Sequence, residues 1–191
     1  MTVRVLLIAP AMSAAEARAA VFGSATGLDA HARESARAVA ESAQAAAGST
    51  HACVAASVRC RETAAVLGLD PGEAAAPAAW DVGSWRGRRL QDIAASEPDA
   101  VAAWLADPAA APHGGESLLD LVARVGGWLA AAPAGRTVAV ADVAVVRAAV
   151  VHALQLPAQA FWRLDVPPLS LTELSGRAGR WNLRTGRPLG P

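Results

Sequence analysis

Short apolar runs rich in β-branched residues alternate with helical patterns along this chain, and this alternation most restricts its fold. The apolar runs are typical of strands buried on both faces of a sheet. They lie at residues 3–8, 51–56 and 137–141, and the helical patterns that follow the last two lie at 61–67 and 143–154. Strands separated by helices pair in parallel. We therefore expect an α/β fold, a three-layer α/β/α sandwich with a mostly parallel sheet.

The remaining patterns complete a single domain over residues 1–185. They predict a helix at 29–44, two short helices between 90 and 111 broken by Pro98 and Pro108, an amphipathic helix at 116–131 and a terminal hairpin from strands 170–174 and 181–183. His152 falls within a helical pattern and is expected to pack in the core. Glycine and proline dominate residues 186–191, which we expect to form a flexible tail.

Composition argues against several classes of partner. The 191 residues include 17 basic and 17 acidic side chains, and the formal net charge is zero, so neither nucleic acid nor an anionic membrane is an expected partner. No apolar run reaches the length of a membrane span. The chain starts directly on a strand pattern, without a secretory signal, and carries only two cysteines. We expect a cytoplasmic protein without a disulfide framework.

Several motifs, in their order and spacing, resemble those of the histidine phosphatase (phosphoglycerate-mutase-like) superfamily, closest in style to the α-ribazole phosphatase branch. They are RCRETA (59–64), GSWRG (83–87), WLADP (104–108) with GGESL (114–118), VVRA (145–148) with HALQLP (152–157), and SLTEL (170–174) with WNL (181–183). The resemblance covers nearly the whole chain. It implies a phosphoglycerate-mutase-like fold, in which residues from about 76 to 116 form a loop-rich cap over the carboxyl edge of the sheet.

The same resemblance implies that the catalytic residues of the family are missing here. The family's first strand ends in Arg-His-Gly, where this chain has Ala9-Pro10-Ala11. The position of the second histidine holds Asp142. The position of the general acid holds Ala79, with Asp81 two residues further on. Only the arginine of the second strand is retained, as Arg59. The phosphohistidine mechanism cannot operate without its nucleophile, because proline has no nucleophilic side chain.

The replacements also change the charge that the site offers to phosphate. Asp142 places a carboxylate where the phosphate of a substrate would bind. Two unit charges about 4 Å apart repel by about 4 kcal/mol at an effective dielectric constant near 20. Ala9 removes a cation that would have offset the phosphate charge. We therefore predict that ordinary phosphomonoesters are poor ligands as well as poor substrates.

The leading hypothesis is a degenerate family member that binds a small molecule or a partner protein in the old pocket. One alternative is an enzyme with other chemistry, using Asp142, His113 or Asp81 as acid or base and Arg59 as an anion anchor. The other alternative is residual phosphatase or mutase activity on a small phosphomonoester. No cofactor or metal is expected, and a homodimer is one alternative for the assembly.

Each candidate residue also has a structural interpretation. Arg59 and Asp142 could pair with each other instead of with a ligand. His113 could be an ordinary loop histidine, and the tryptophans could serve packing alone. Glu116 and Ser117 could begin the helix that follows them. The predicted ligand-binding residues are Arg59, Ser13, Trp85, Arg86, Glu116 and Ser117.

Overall fold

The computed structural model describes residues 2–12, 21–23, 26–48, 51–70, 76–177 and 179–188, with side chains as far as residue 184. Its centre is one five-stranded sheet with the strand order β2-β3-β1-β4-β5. The strands are β1 (Val3–Ile8), β2 (His51–Val54), β3 (Gly135–Val140), β4 (Ser170–Arg177) and β5 (Arg180–Pro188). The strands β1, β2 and β3 pair in parallel, and β4 and β5 add an antiparallel hairpin beside β1.

Seven α-helices are described around the sheet. They are α1 (Ala30–Ala38), α2 (Ala40–Ala47), α3 (Val58–Val66), α4 (Leu90–Ser96), α5 (Pro98–Ala106), α6 (Leu118–Ala130) and α7 (Val143–Ala153). Two 3-10 helices, Gly83–Trp85 and Ala158–Arg163, complete the described elements. Helices α2 and α3 contact β3, whereas α7 contacts β4 and β5 and packs against α6. The predicted α/β fold is confirmed.

The parallel strands lie in the middle of the hydrophobic core. Successive residues of β1 from Val5 to Ile8 are at most 3% exposed, and Val138, Ala139 and Val140 of β3 are at most 1% exposed. Because neighbouring residues of a strand point to opposite faces, both faces of β1 and β3 must be covered. The run of apolar residues in each strand is explained by this double burial.

Two element boundaries differ from the sequence prediction for local reasons. The helix expected over 29–44 is divided at Val39, whose φ of −109° and ψ of 3° end α1 before α2 begins. Helix α3 starts three residues earlier than expected, because the Ser57 side chain accepts a hydrogen bond from the Cys60 backbone N–H and caps it. The predicted terminal hairpin is present. Its second strand, β5, continues to Pro188, so Arg187 and Pro188 pair with β4 instead of belonging to the tail.

Close packing between α6 and α7 depends on a glycine. A Cβ atom added to Gly126 would lie 2.3 Å from the imidazole ring of His152, whereas one added to the neighbouring Gly127 would meet nothing within 4 Å. His152 is exposed as a residue, which differs from the expected core position. One part of its ring nevertheless fills the space that a larger residue at position 126 would need.

The two glycines provide a matched test of this packing. Alanine favours a helix interior by about 1 kcal/mol over glycine, so Gly127→Ala should raise the free energy of unfolding. Gly126→Ala should stay about 1–3 kcal/mol below Gly127→Ala because its methyl group collides with His152. Urea unfolding followed by tryptophan fluorescence measures both variants. The difference should disappear when each glycine variant is combined with His152→Ala, and equal effects of the two single changes would contradict the contact.

Candidate functional site

The three parallel strands end at the same level, which brings the residues that follow them together. Ile8 of β1 and Val54 of β2 both pair with Val140 of β3. An alanine follows each strand, and Ala9, Ala55 and Ala141 are all fully buried. We call the region just beyond them the carboxyl edge. Ligands of open α/β sheets bind at this edge, so the residues after the three alanines are the first candidates for a site.

The segment after β1 is held by neighbouring elements. The Ala9 N–H donates to the Ser170 carbonyl oxygen at 3.1 Å, and the Ala9 carbonyl accepts from the Leu169 N–H at the same distance. The Ala11 N–H donates to the hydroxyl of the fully buried Thr63 at 3.1 Å. Pro10 between them is buried and has no N–H to donate. This part of the edge is therefore well packed and offers no nucleophile.

Asp142, the N-cap residue of α7, brings a carboxylate to the carboxyl edge. The Ser57 hydroxyl donates to its Oδ1 at 3.4 Å, and the Cys60 thiol lies near enough to lower the pKa of the carboxylate. Oδ2 is buried and has no hydrogen-bond partner among the described residues. Burial raises the pKa of Asp142, and the Ser57 hydrogen bond and the positive charge of Arg59 oppose that rise only in part.

Arg59 lies near Asp142 without forming a salt bridge with it. No described guanidinium–carboxylate pair within 4.0 Å joins the two residues, although the positive charge of Arg59 does lower the pKa of Asp142. Arg59 Nε is buried and, within the described part of the chain, has no partner. The alternative in which these two charges satisfy each other is therefore not what the structure has. A cation and an anion lie close together, each with an unfilled hydrogen-bonding position.

Burial and charge also keep the Cys60 thiol protonated. Its pKa is raised to about 12, first by burial and then by the negative charge of Asp142. A thiol in this state is a weak hydrogen-bond donor and a poor nucleophile. Ser57 and Cys60 were not predicted as site residues. The Ser-x-x-Cys spacing at the start of α3 signals only a helix cap, and contact with Asp142 depends on the pairing of β2 with β3.

The four histidines of the chain lie on other parts of the fold. His51 is at the amino end of β2 and His152 is in the last turn of α7, so each lies at the end of its element away from the carboxyl edge. His31 is an exposed residue in the first turn of α1. His113 lies between α5 and α6, within residues 76–116, and we call this segment the cap. None of these four histidines is among the groups that influence the pKa of Asp142.

His113 forms part of an aromatic cluster in the cap. Its ring lies 5.0 Å from that of Trp85 and 6.5 Å from those of Trp80 and Trp104. Its Nδ1 accepts a hydrogen bond from the Gly115 N–H at 3.0 Å, and the residue is only 3% exposed. Burial lowers the pKa of His113, against the opposing effect of Asp81, so the ring is neutral near pH 7. This environment gives His113 a packing role instead of the predicted acid–base role.

Trp85 was predicted to contact a ligand, but the structure places it inside the same cluster. The residue is fully buried, and its indole N–H donates to Glu97 Oε2 at 3.0 Å. Its ring lies 5.4 Å from that of Trp104 and 6.0 Å from that of Phe22. A ligand arriving from solvent cannot reach an indole in this position. The structural interpretation of this tryptophan is therefore the one that fits.

Asp81 and Arg86 lie on the outer surface of the cap and pair with each other at 3.1 Å. The Gly83 N–H also donates to Asp81 Oδ1, and this bond, followed by the Arg86 contact, lowers the pKa of Asp81. A carboxylate stabilised in this way is a weak proton acceptor. Neither residue is among the groups that influence the pKa of Asp142. If Asp142 serves as the acid or base, as one alternative predicts, neither Asp81 nor His113 is among the groups that influence its pKa.

Glu116 and Ser117 are satisfied by contacts within the cap and at the start of α6. Glu116 forms a two-point salt bridge with Arg124, with N···O distances of 2.6 and 2.9 Å. Ser117 caps α6 and exchanges hydrogen bonds with Asp120 in a capping box. The structural interpretation of both residues thus fits better than ligand binding. Ser13, the remaining predicted ligand-binding residue, lies outside the described residues.

The sequence from residue 14 to 187 matches the family model of the histidine phosphatase superfamily (branch 1). A search of curated protein sequences finds no match. Among solved structures, a mycobacterial glucosyl-3-phosphoglycerate phosphatase is 25% identical, with a TM-score of 0.80 over 98% of this chain and all of that one. Its complex with inorganic phosphate is 26% identical, with a TM-score of 0.76 and 95% of both chains covered.

A second similar structure is the α-ribazole phosphatase from Shigella flexneri. It has a TM-score of 0.80 over 98% of this chain and 97% of that chain, at 18% identity. At this identity the similarity concerns the fold alone, and at that level the predicted resemblance is confirmed. Among the residues that the structure describes, no helix has the length and apolarity to cross a bilayer, and no group of three or more His, Cys, Asp or Glu side chains could hold a metal ion.

Burial of the Asp142 carboxylate, whose Oδ2 has no partner among the described residues, should lower the stability of the folded chain, and this can be tested. Because its pKa is raised in the folded chain, ionisation above about pH 4 favours the unfolded state. Asp142→Asn removes this cost and loses no capping bond, because the Asp142 side chain makes none, so the variant should raise the free energy of unfolding by about 1–3 kcal/mol at pH 8. The gain should shrink as the pH falls toward 4. Urea unfolding at several pH values measures it.

Asp81→Asn is the matched control for this prediction. The pKa of Asp81 is lowered in the folded chain, so its ionised form contributes stability above about pH 4 and loses that contribution as the pH falls. This variant should therefore lower the free energy of unfolding at pH 8. A stability loss for Asp142→Asn at pH 8, similar to that for Asp81→Asn, would contradict the environment described for Asp142.

Proposed function

Because the chain belongs to the histidine phosphatase superfamily, we propose that it retains the family fold without the phosphohistidine mechanism and binds a small molecule at the carboxyl edge. The observation that carries this proposal is the unpaired charge beside the edge. Arg59 Nε and Asp142 Oδ2 are both buried, and neither has a partner in the described part of the chain. Leaving such groups unsatisfied costs stability, and a ligand that bonds to both would recover it.

The absence of a histidine from the described part of the carboxyl edge supports the first part of the proposal, which is that the phosphohistidine mechanism does not operate here. Phosphoryl transfer through histidine requires that residue to face the phosphate, and the carboxyl edge carries Pro10 and Asp142 at the positions where relatives of this family have histidines. Burial and the negative charge of Asp142 raise the pKa of the Cys60 thiol to about 12 and hold it protonated. The neighbouring Ser57 hydroxyl donates to Asp142. A carboxylate with a raised pKa can take the Ser57 proton, but Arg59 is the one guanidinium among the described residues that influences Asp142, and it alone would offset the charge of a phosphate.

The two charges define the chemistry of the preferred ligand. A guanidinium binds carboxylates with good geometry, and a carboxylate binds ammonium or amide N–H groups. A zwitterion presents both partners with no net charge, so it avoids the repulsion that Asp142 exerts on a phosphate dianion. We therefore propose a zwitterionic metabolite with a carboxylate toward Arg59 and an ammonium or amide group toward Asp142. The predicted alternative of a partner protein would have to present the same pair of groups.

The other functional hypotheses receive less support from the geometry. An enzyme using Asp142 with His113 or Asp81 would need those groups near one another, and the pKa of Asp142 responds to Ser57, Arg59 and Cys60 instead. Residual phosphatase activity would have to accelerate a reaction that needs up to ~10²¹-fold enhancement, with one arginine opposed by a carboxylate. A cytoplasmic location and a homodimeric assembly stay predictions.

Phosphate binding tests the electrostatic part of the proposal. Calorimetry at pH 7.5 should detect no binding of inorganic phosphate with a dissociation constant of about 1 mM or tighter, because Asp142 repels the anion. Asp142→Asn should make binding measurable, and adding Arg59→Ala should remove it again. No turnover of p-nitrophenyl phosphate is expected. Tight phosphate binding by the unaltered chain, or turnover that depends on Arg59, would overturn the proposal.

Thermal denaturation in the presence of zwitterionic metabolites tests the ligand class. A true ligand at about one hundred times its dissociation constant adds about 2.7 kcal/mol to the free energy of unfolding. The methyl ester of the same compound, which lacks the carboxylate, should stabilise much less. The stabilisation should be lost in Arg59→Ala and in Asp142→Asn.

Arg61→Ala is the control variant for this screen. Arg61 lies on the same helix as Arg59 and is exposed, so its removal changes the net charge equally without touching the site. Stabilisation should persist in this variant. Protection by a zwitterion that survives both Arg59→Ala and Asp142→Asn would place the ligand elsewhere. Protection by no zwitterion, together with a partner protein that co-purifies with the chain, would overturn the small-molecule proposal.

A further inference from the structure

A cavity of about 260 Å³ lies at the opposite end of the parallel strands, between β2, β3 and the end of α6. Its floor includes His51, Cys53 and Thr137, and its wall includes Trp128 and Ala132. We propose that this strand-end cavity is a binding site for a small uncharged aromatic molecule that carries one hydrogen-bonding group. The inference is independent of the function proposed for the carboxyl edge.

Strand pairing brings the floor of the cavity together. His51 of β2 pairs in register with Thr137 of β3, and Cys53 pairs with Ala139 two residues further on. Since side chains two residues apart share a face of the sheet, all four point to the same side. Among the described strands, β2 lies at the edge of the sheet and has β3 as its one neighbour. The cavity therefore opens beside the edge of the sheet instead of being closed by another strand.

The Thr137 hydroxyl is the polar group that points to a ligand. The residue is 4% exposed, and its Oγ1 is buried without a hydrogen-bond partner among the described residues. An unsatisfied buried hydroxyl is costly, and most such groups in folded proteins have a partner. A threonine hydroxyl can donate or accept, so a phenol, an indole or an aromatic amide could each complete it.

Apart from the imidazole of His51, the remaining surroundings offer no charged partner to a ligand. Among the described residues that line the cavity, none is acidic and none is an arginine. The Cys53 thiol donates to the Val138 carbonyl oxygen at 3.5 Å, and burial raises its pKa to about 11, so it adds no negative charge. The Trp128 indole offers an aromatic wall against which a flat ring can pack. A cation placed here would lose its hydration without gaining an acidic partner among these residues.

The size of the cavity limits the ligand to one or two rings. An apolar cavity of roughly 150 Å³ is large enough to bind benzene, and pockets for drug-sized molecules start at about 300 Å³. The strand-end cavity falls between these values. The strand-end cavity is also remote from the carboxyl edge. Asp142 follows Thr137 by five residue steps, which span roughly 16 Å of extended chain. The two sites can therefore be occupied separately.

Fluorine NMR with 4-fluorophenol tests the site on the full chain. Saturable binding with a dissociation constant of about 1 mM or tighter is expected, and fluorobenzene should bind more weakly. Thr137→Val keeps the shape and removes the hydroxyl, so it should weaken 4-fluorophenol about fivefold while leaving fluorobenzene nearly unchanged. Ala132→Phe should fill the cavity and abolish binding of both probes.

Thr172→Val is the matched control, because Thr172 is a buried threonine on β4, away from the cavity. It should bind both probes like the unaltered chain. If Ala132→Phe fails to fold, the selective effect of Thr137→Val on 4-fluorophenol decides the question. Absence of saturable binding, or equal binding of 4-fluorophenol by Thr137→Val, would overturn the proposal. So would a dimer in sedimentation experiments that Ala132→Phe dissociates, since a second copy would then cover the cavity.

Discussion

Parallel pairing of β1 with β3 is the constraint on which the rest of the structure depends. With Ile8 opposite Val140, the two strands end level, and the Ala141 N–H donates to the Ile8 carbonyl oxygen at 3.1 Å. Both strands are buried on both faces, so a shift of register would expose or bury the wrong side chains. The pairing decides that the residues after β1 and after β3 face one another, and it thereby creates the carboxyl edge at which Asp142 lies.

At that edge lie two buried charged groups, and Arg59 Nε and Asp142 Oδ2 have no hydrogen-bond partner among the described residues. Asp142 receives a hydrogen bond from Ser57, while Arg59 lies near it without forming a salt bridge. Two buried charges that pair well are satisfied internally, whereas two that remain apart favour a ligand that bridges them. In the cap, His113, Trp85 and the neighbouring tryptophans pack against one another. Trp85 Nε1 and His113 Nδ1 have hydrogen-bond partners, whereas the buried His113 Nε2 and Trp104 Nε1 have none among the described residues, and neither atom carries a charge like those of Arg59 and Asp142.

Much of the fold and a smaller part of the site could be predicted from the sequence. The strands, the helices broken at Pro98 and Pro108 and the terminal hairpin follow from local patterns of apolar, proline and glycine residues. Arg59 and Asp142 were identified as neighbours through family motifs. Ser57 and Cys60 were missed, because a helix cap and a buried cysteine carry no local sign of a contact 85 residues away in sequence. Glu116, by contrast, was assigned to the site although Arg124 occupies its carboxylate.

The sequence by itself determined the α/β class and the order of the elements, because these depend on residue type and spacing along the chain. Only the tertiary structure decided which polar groups remain unsatisfied. Whether Arg59 pairs with Asp142, whether His113 is buried, and whether the Thr137 hydroxyl has a partner all depend on distances of a few ångströms between separate elements. Those distances are set by strand register and helix packing, which no local pattern encodes.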